Sequence, residues 1–411
     1  MAATINTNVL IIGAGPAGTS TALFLAKQGI ASTIIDKATF PRDKICGDAL
    51  SGKVVEVLNK LDKSLAMELA TDNHYLGSWG VTFVAPNLEA LRVPFTTKAE
   101  KKNAPGVIAK RIDFDNWLVE KAKTNPLVTL LQNCEVRSYK RTNNGIAAEA
   151  KDGTTIHTKL VIACDGAHSS FTKNIAGLKT ESEHNCHGLR AYYKGVKGLD
   201  TDNFIELHFI KDILPGYFWI FPLPNGEANV GIGMRADKMT EKGINLKKSF
   251  EQVIASNPSI AARFKDAELV DDIKLYGLPL GSKKRPLSGD NYMLCGDAAM
   301  LIDPFTGEGI GNAMMSGMHA ANQAALCIQQ NNYSTAFMQQ YDTTLYKRLW
   351  SELNLSYRMQ QLVNYPSLFN FVVRKANTNK VLRETISCMF EDIDMRAKLK
   401  SPTFYFKLLF S

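Results

Sequence analysis

The first 36 residues set short apolar runs against glycines. Residues 8–12 (N-V-L-I-I) form a mostly apolar run that ends at glycine, which predicts a buried strand. Residues 16–28 (P-A-G-T-S-T-A-L-F-L-A-K-Q) predict a helix, with Pro16 suited to its first turn and Gly29 to the position past its end. Residues 32–36 (S-T-I-I-D) predict a second strand. Together they form a β-α-β unit whose strands pair in parallel. Residues 159–164 (K-L-V-I-A-C) and 291–295 (N-Y-M-L-C) repeat the strand pattern. If these runs share one sheet, the domain they build is discontinuous in sequence. Between them, roughly residues 181–275 carry apolar-rich stretches such as F-I-E-L-H-F-I (204–210) and Y-F-W-I-F (217–221). These predict an antiparallel sheet in a second domain. Beyond about residue 335 the pattern turns helical and aromatic-rich, through to F-Y-F-K-L-L-F at 404–410.

The turn between the first strand and helix carries chemistry. Gly13, Gly15 and Gly18 spell G-x-G-x-x-G, with Pro16 and Ala17 inside the motif. Gly13 permits a tight turn, Gly15 lets a pyrophosphate approach the backbone, and Gly18 lets the helix sit close to the strand. The helix N-terminus offers free N–H groups and a positive dipole end to phosphates. Asp36, followed by Lys37, ends the second strand, where a carboxylate accepts hydrogen bonds from ribose hydroxyls. An acid there argues for a free 2′-hydroxyl, as in FAD or NAD rather than NADP. The fold class is therefore α/β, α+β overall, with a Rossmann-type unit first.

Two more strand exits separate FAD from NAD. Asp165-Gly166 and Gly296-Asp297 each place a carboxylate at the carboxyl edge of a sheet, where ligands of such sheets bind. Asp297 could accept hydrogen bonds from ribityl hydroxyls. The following D-P-F-T-G-E-G-I-G-N-A (303–313) puts Gly307, Gly309, Ile310 and Gly311 where a helix should start, its dipole facing a flavin pyrimidine ring. Each motif alone also reads as an ordinary strand-to-turn exit. G-I-G-M-R-A (231–236) spells a second G-x-G-x-x-A, but no clear β-α-β unit surrounds it. It reads as a strand whose glycines allow close backbone approach.

Composition narrows the class. The chain has 411 residues, 45% apolar and 21% charged, which fits a soluble globular protein of two or three domains. No apolar run is long enough to span a bilayer, and no signal peptide is recognisable, so a cytoplasmic protein is expected. The net charge of +8 is spread over scattered Lys and Arg residues. The longest basic run, Lys283-Lys284-Arg285, reads as a solvated face, and nucleic acid is not expected as a partner. An anionic membrane surface or a phosphorylated substrate suits the charge better. Seven cysteines form no C-x-x-C pair, and His184, Cys186 and His187 lack a second ligand pair at zinc spacing, so no metal site is expected.

The order G-A-G-P-A-G, then D-G, then G-D resembles the flavoprotein superfamily of aromatic hydroxylases, halogenases and geranylgeranyl reductases. That resemblance implies FAD as cofactor. It also assigns Arg111, in R-I-D-F-D-N-W-L, to FAD binding, with a helix-surface ion pair as the plainer alternative. F-P-R-D-K-I-C-G-D (40–48) and P-G-Y-F-W-I-F-P (215–222) look like the geranylgeranyl reductase family, through Lys44, Cys46 and Gly47 and through Pro215, Tyr217, Trp219, Phe221 and Pro222. The resemblance covers about residues 5–330. It implies reduction of carbon–carbon double bonds in an isoprenoid or other apolar lipid by hydride from reduced flavin, with electrons from an external donor, NAD(P)H or ferredoxin-like.

Tyr217, Trp219 and Phe221 alternate, so a strand projects all three from one face as an aromatic wall for an apolar chain. They could equally fill a sheet core. Cys46 and Gly47 sit in a loop that could reach the flavin or substrate, and Cys46 could also be a small buried hydrophobe. Cys46, Tyr217 and Trp219 are the catalytic candidates. Tyr365, Phe369, Phe371, Phe404, Tyr405 and Phe406 are either core or a membrane-docking stretch, which would place the protein peripherally on a membrane. The domains divide as an FAD-binding part in residues 1–75, 105–180 and 276–334, a substrate part in 76–104 and 181–275, and a helical region in 335–411. Two rivals stand beside the reductase: a flavin monooxygenase or halogenase, and a non-catalytic flavin- or lipid-binding protein.

Overall fold

Hydrophobic coverage on both faces explains the first sheet. In a computed structural model that describes residues 3–95 and 103–387, the strand Thr4–Ile12 is exposed at its start, while its last four residues are buried whichever way they point. It lies between Ser32–Ile35 and Thr155–Ala163, parallel to both. Val128–Leu131 extends the sheet on one side and Tyr292–Leu294 on the other, again in parallel. Continuous apolar runs are what parallel strands under helices require.

The helix Pro16–Lys27 is buried at every position but its last, so it reads as apolar all round. It packs on Ile310–Gln330, and a Cβ on Gly317 of that helix would stand 2.5 Å from the Ala17 carbonyl oxygen. Glycine is needed for this approach.

The second sheet runs in the order Glu268–Leu269, Asn185–Lys194, Glu227–Arg235, Tyr217–Pro222, Ile205–His208, Gly80–Val84, Ala90–Pro94, with Lys274–Pro279 also on Asn185–Lys194. It is antiparallel except where Ile205–His208 meets Gly80–Val84 in parallel. Strand alternation gives it two apolar faces. Phe218, Ile220, Val230 and Ile232 pack against Phe250 and Phe264. Trp219, Phe221, Leu207 and Val81 face inward with Phe305 and Phe369. The G-I-G-M-R-A segment lies inside the strand Glu227–Arg235. A Cβ on Gly231 would sit 2.0 Å from the Trp219 ring, so this glycine makes room for the indole.

The helices Thr335–Leu362, Pro366–Thr378 and Lys380–Ser387 close the described chain. Phe369 is core, its ring tilted against Phe209 with centroids 4.7 Å apart, whereas Tyr365, Leu368 and Phe371 are exposed. Phe404, Tyr405 and Phe406 lie outside the described residues. Among the described residues no helix is long and apolar enough to cross a membrane. The basic run is not wholly solvated: Arg285 is buried and donates to the carbonyls of Leu280 and Lys283. Its guanidinium closes a local turn there.

Candidate active site

One cleft of about 540 Å³ joins the carboxyl edge of the first sheet to the inner face of the second. Gly13, Gly15, Pro16 and Ala17 form one end. Gly13 has φ +98°, and a Cβ there would stand 2.4 Å from the Cys164 carbonyl oxygen. Gly18 does not reach the cleft. Its missing Cβ leaves space for the Gly13 carbonyl oxygen, 1.8 Å from where that Cβ would be. The helix Pro16–Lys27 has no side-chain cap, so its first N–H groups are left to a ligand.

Arg42 completes this end. Its guanidinium comes within 3.4 Å of the position a Gly15 Cβ would take. Asp115, fully buried, holds it at 2.8 Å and binds Arg111 through both oxygens at 2.6 and 2.7 Å. Arg111 is therefore a buried member of a charge cluster and not a helix-surface residue. Asp36 and Lys37 line the same end. Each Asp36 oxygen already accepts one backbone N–H, from Ala14 and from Ala38, both at 2.8 Å. One lone pair on each oxygen remains for a hydroxyl.

Asp165, Gly166, Gly296 and Asp297 line the middle. One Asp165 oxygen accepts from the Ser170 N–H, while the other is buried without a partner. Burial raises its pKa above the ordinary 3.8. Asp297 stands 3.9 Å from the Lys44 ammonium, which sits 3.3 Å over the Tyr276 ring. Burial brings Lys44 down to about 8, against the pull of Asp297. Gly307, Gly309 and Ile310 border the cleft where the helix Ile310–Gln330 begins. Gly311 is turned away: its N–H donates to Glu308 Oε1 at 2.6 Å.

The loop 43–48 follows the first sheet, leads into the short strand Ala49–Leu50 of a small three-stranded sheet, and is pinned to the second sheet by a buried polar network. Asp48, with φ +66°, accepts from Tyr192 Oη at 2.7 Å and Asn229 Nδ2 at 2.8 Å. Asn229 also donates to the Cys46 carbonyl at 2.8 Å and accepts from Trp219 Nε1 at 2.8 Å. Burial lifts Asp48 to about 6 despite these donors. Burial also raises the Cys46 thiol, which the Arg111 guanidinium partly offsets. Gly47 passes under Phe221, whose ring would be 2.9 Å from a Cβ.

Tyr217, Trp219 and Phe221 do share one face, and all three line the cleft. Tyr217 donates its hydroxyl proton to the Thr306 carbonyl at 2.7 Å, and burial moves its pKa well up. Ile205 and Leu207 continue the same face on the neighbouring strand, and Leu50, Phe95, Val107 and Ile108 complete the apolar lining. This end is an apolar chamber, and Glu308 is a carboxyl at its edge.

A dinucleotide fits these residues. The uncapped helix start beside Arg42 suits a pyrophosphate, and the orphaned Asp165 oxygen and Asp297 suit hydroxyl and ring N–H donors. The FAD binding domain family matches residues 6–350. A digeranylgeranylglycerophospholipid reductase of Thermoplasma acidophilum is 31% identical over 362 residues, 83% of each chain. The chain belongs to the geranylgeranyl reductase family of FAD-dependent oxidoreductases. Among solved structures, a geranylgeranyl bacteriochlorophyll reductase-like protein from Thermoplasma acidophilum matches with TM-score 0.79 and 26% identity, over 93% of this chain and 92% of the other. A flavin-dependent brominase matches with TM-score 0.75 over 94% of each chain. At 21% identity the brominase shares the fold, and nothing more follows from it.

The resemblance and the local motifs point to the glycines, Asp36, Arg111, Asp297 and the aromatic wall. Arg42, Asp115, Asp48, Asn229 and Glu308 are site residues that the sequence motifs do not mark as such. R-D in F-P-R-D and the E of T-G-E-G were visible as charges inside glycine- and proline-rich loops, which was the only local signal.

Proposed function

We propose that this FAD-dependent oxidoreductase reduces isolated carbon–carbon double bonds in the prenyl chain of a lipid. The observation that carries the reading is the continuity of the cofactor cleft with an apolar chamber walled by Tyr217, Trp219 and Phe221. Bound FAD, once reduced, supplies a hydride. The protein's work is binding and placement. Gly13, Gly15, the N–H groups after Pro16 and Arg42 hold the diphosphate. Asp36 takes the ribose, Asp165 and Asp297 take the ribityl and ring groups, and Arg111 with the Cys46–Gly47 loop covers the ring. The aromatic wall and the other apolar side chains of the chamber exclude water and hold the alkene against the ring.

A lipid substrate lies in a membrane, and one surface suits contact with it. Tyr365, just before Pro366–Thr378, and Leu368 and Phe371 within it are exposed, with Arg374, exposed and paired with Glu89, on the same helix. The chain carries a formal charge of +8. Apolar side chains beside cations bind an anionic lipid surface. We place the protein on the cytoplasmic face of a membrane, taking electrons from an external donor such as NAD(P)H or a ferredoxin-like protein.

An oxygen electrode separates this reading from a monooxygenase. Turnover with a prenyl lipid and a chemical reductant should proceed without oxygen. Oxygen consumed one-for-one with product would overturn the reductase reading.

A further inference from the structure

Addition of hydrogen across an alkene needs a proton as well as a hydride. We propose that the Glu308 carboxyl is the acid that gives this proton to the second alkene carbon; the proposal rests on the prenyl-reductase reading. Glu308 lines the cleft two residues after Thr306, whose carbonyl holds Tyr217, and beside Ser51, which follows Leu50 of the chamber lining. Its two oxygens are unlike. Oε1 accepts from the Gly311 N–H at 2.6 Å and from Ser51 Oγ at 3.1 Å. Oε2 is buried with no hydrogen-bond partner. A proton on this carboxyl therefore resides on Oε2. The last torsion of a Glu side chain is broad, so a small rotation turns that proton toward the chamber.

The surroundings keep the acid protonated and then accept its charge. Burial raises the Glu308 pKa and nearby Asp303 pushes it further, while Lys53 and the Gly311 and Ser51 donors pull it down. Lys53 is itself buried, bound to Glu352 at 2.8 Å and to Asn312 at 3.0 Å. Its charge is shared with Glu352 until Glu308 ionises, when it can stabilise the new carboxylate. Asp165, whose pKa burial also raises, lies away from the chamber in the middle of the cleft, and three other cleft groups are poorer donors. Tyr217 already donates its hydroxyl hydrogen bond to the Thr306 carbonyl. Burial moves the Cys46 thiol up. Lys44 is held over Tyr276 beside Asp297, at the cofactor end.

The step balances. The alkene π bond breaks, one carbon gains a hydride from the reduced cofactor, and the other gains the Glu308 proton. The cofactor is oxidised by two electrons, the alkene is reduced by two, and Glu308 is left as a carboxylate. It regains a proton from water when product leaves.

The test is anaerobic stopped-flow. Chemically reduced holoenzyme is mixed with geranylgeranyl diphosphate, and return of the oxidised flavin absorbance is followed. Glu308→Gln keeps the acceptor for Gly311 and Ser51 but has no acidic proton. The variant should retain FAD and take up electrons from the chemical reductant at the wild-type rate. Its reoxidation by the alkene should slow by about 10²- to 10⁴-fold. The wild-type rate should fall as pH rises through the raised pKa of Glu308, and the Gln variant should lack that limb. A Gln variant within about threefold of wild type, or one that keeps the same limb, overturns the assignment. A limb near pH 8 in both proteins would point to Lys44 and overturn it equally. If the Gln variant loses FAD, Glu308→Asp decides: a displaced limb supports the role, and an unmoved one contradicts it. Reduced wild type that no prenyl substrate reoxidises overturns the reductase reading, and this proposal with it.

Discussion

Arg42 shows what a single residue contributes and why sequence alone does not reveal it. Its carboxylate partner, Asp115, is 73 positions away, and only folding brings the guanidinium over Gly15. Gly13, Gly15 and Gly18 lie within one turn and announce themselves by spacing. Charge-assisted hydrogen bonds are worth about 1.5–3 kcal/mol, so Arg42→Ala should weaken FAD binding by about 10- to 100-fold. Titration of apoprotein with FAD, followed by flavin fluorescence, checks this; unchanged affinity would remove Arg42 from the diphosphate site. Asn229 and Asp48 were hidden for the same reason. Asn229 reaches Cys46 and Asp48 across 183 and 181 positions, and nothing local marks an Asn in a strand as the link between a loop and an indole.

At the scale of elements, the strand at 8–12 and the helix after Pro16 were legible as apolar runs closed by Gly13 and Gly29, and the second strand as S-T-I-I before Asp36, whereas the exposed start of the first strand at Thr4 was not. The strand Gly80–Val84 was harder to place. It joins the second sheet in parallel beside Ile205–His208, about 125 residues later, and strand alternation carries no information on such a partner. The aromatic C-terminal region divides within one helix. On Pro366–Thr378, Phe369 turns to the core while Leu368 and Phe371, with Tyr365 just before the helix, turn outward. If that outward face meets lipid, Leu368→Asp or Phe371→Asp should weaken binding to anionic vesicles by about tenfold or more. The cleft is remote in sequence from these positions, so FAD content should be unchanged. Vesicle co-sedimentation reads the effect, and equal sedimentation of variant and wild type would contradict the docking.

At the scale of the whole molecule, two sheets share one cleft, and the polar network at Asp48 fastens them. Burial carries Asp48 from the ordinary 3.8 to about 6. The folded chain therefore holds this proton more tightly than the unfolded chain does. That contribution is complete below about pH 4 and is lost as pH rises through about 6, a difference on the order of 3 kcal/mol. Asp48→Asn has no such proton. Denaturant midpoints taken from pH 4 to 7.5 should show wild type losing stability relative to the Asn variant; parallel curves would contradict the buried titration.

The central claim concerns the chamber beside the cofactor. The holoenzyme is reduced chemically without oxygen and given geranylgeranyl diphosphate, a menaquinone or a digeranylgeranyl glycerolipid in separate reactions. Product masses are then read. A prenyl product heavier by two hydrogens for each saturated bond, formed as the flavin reoxidises, is the result the structure calls for. Unchanged masses with all three, or a product that has gained oxygen or halogen, would contradict it.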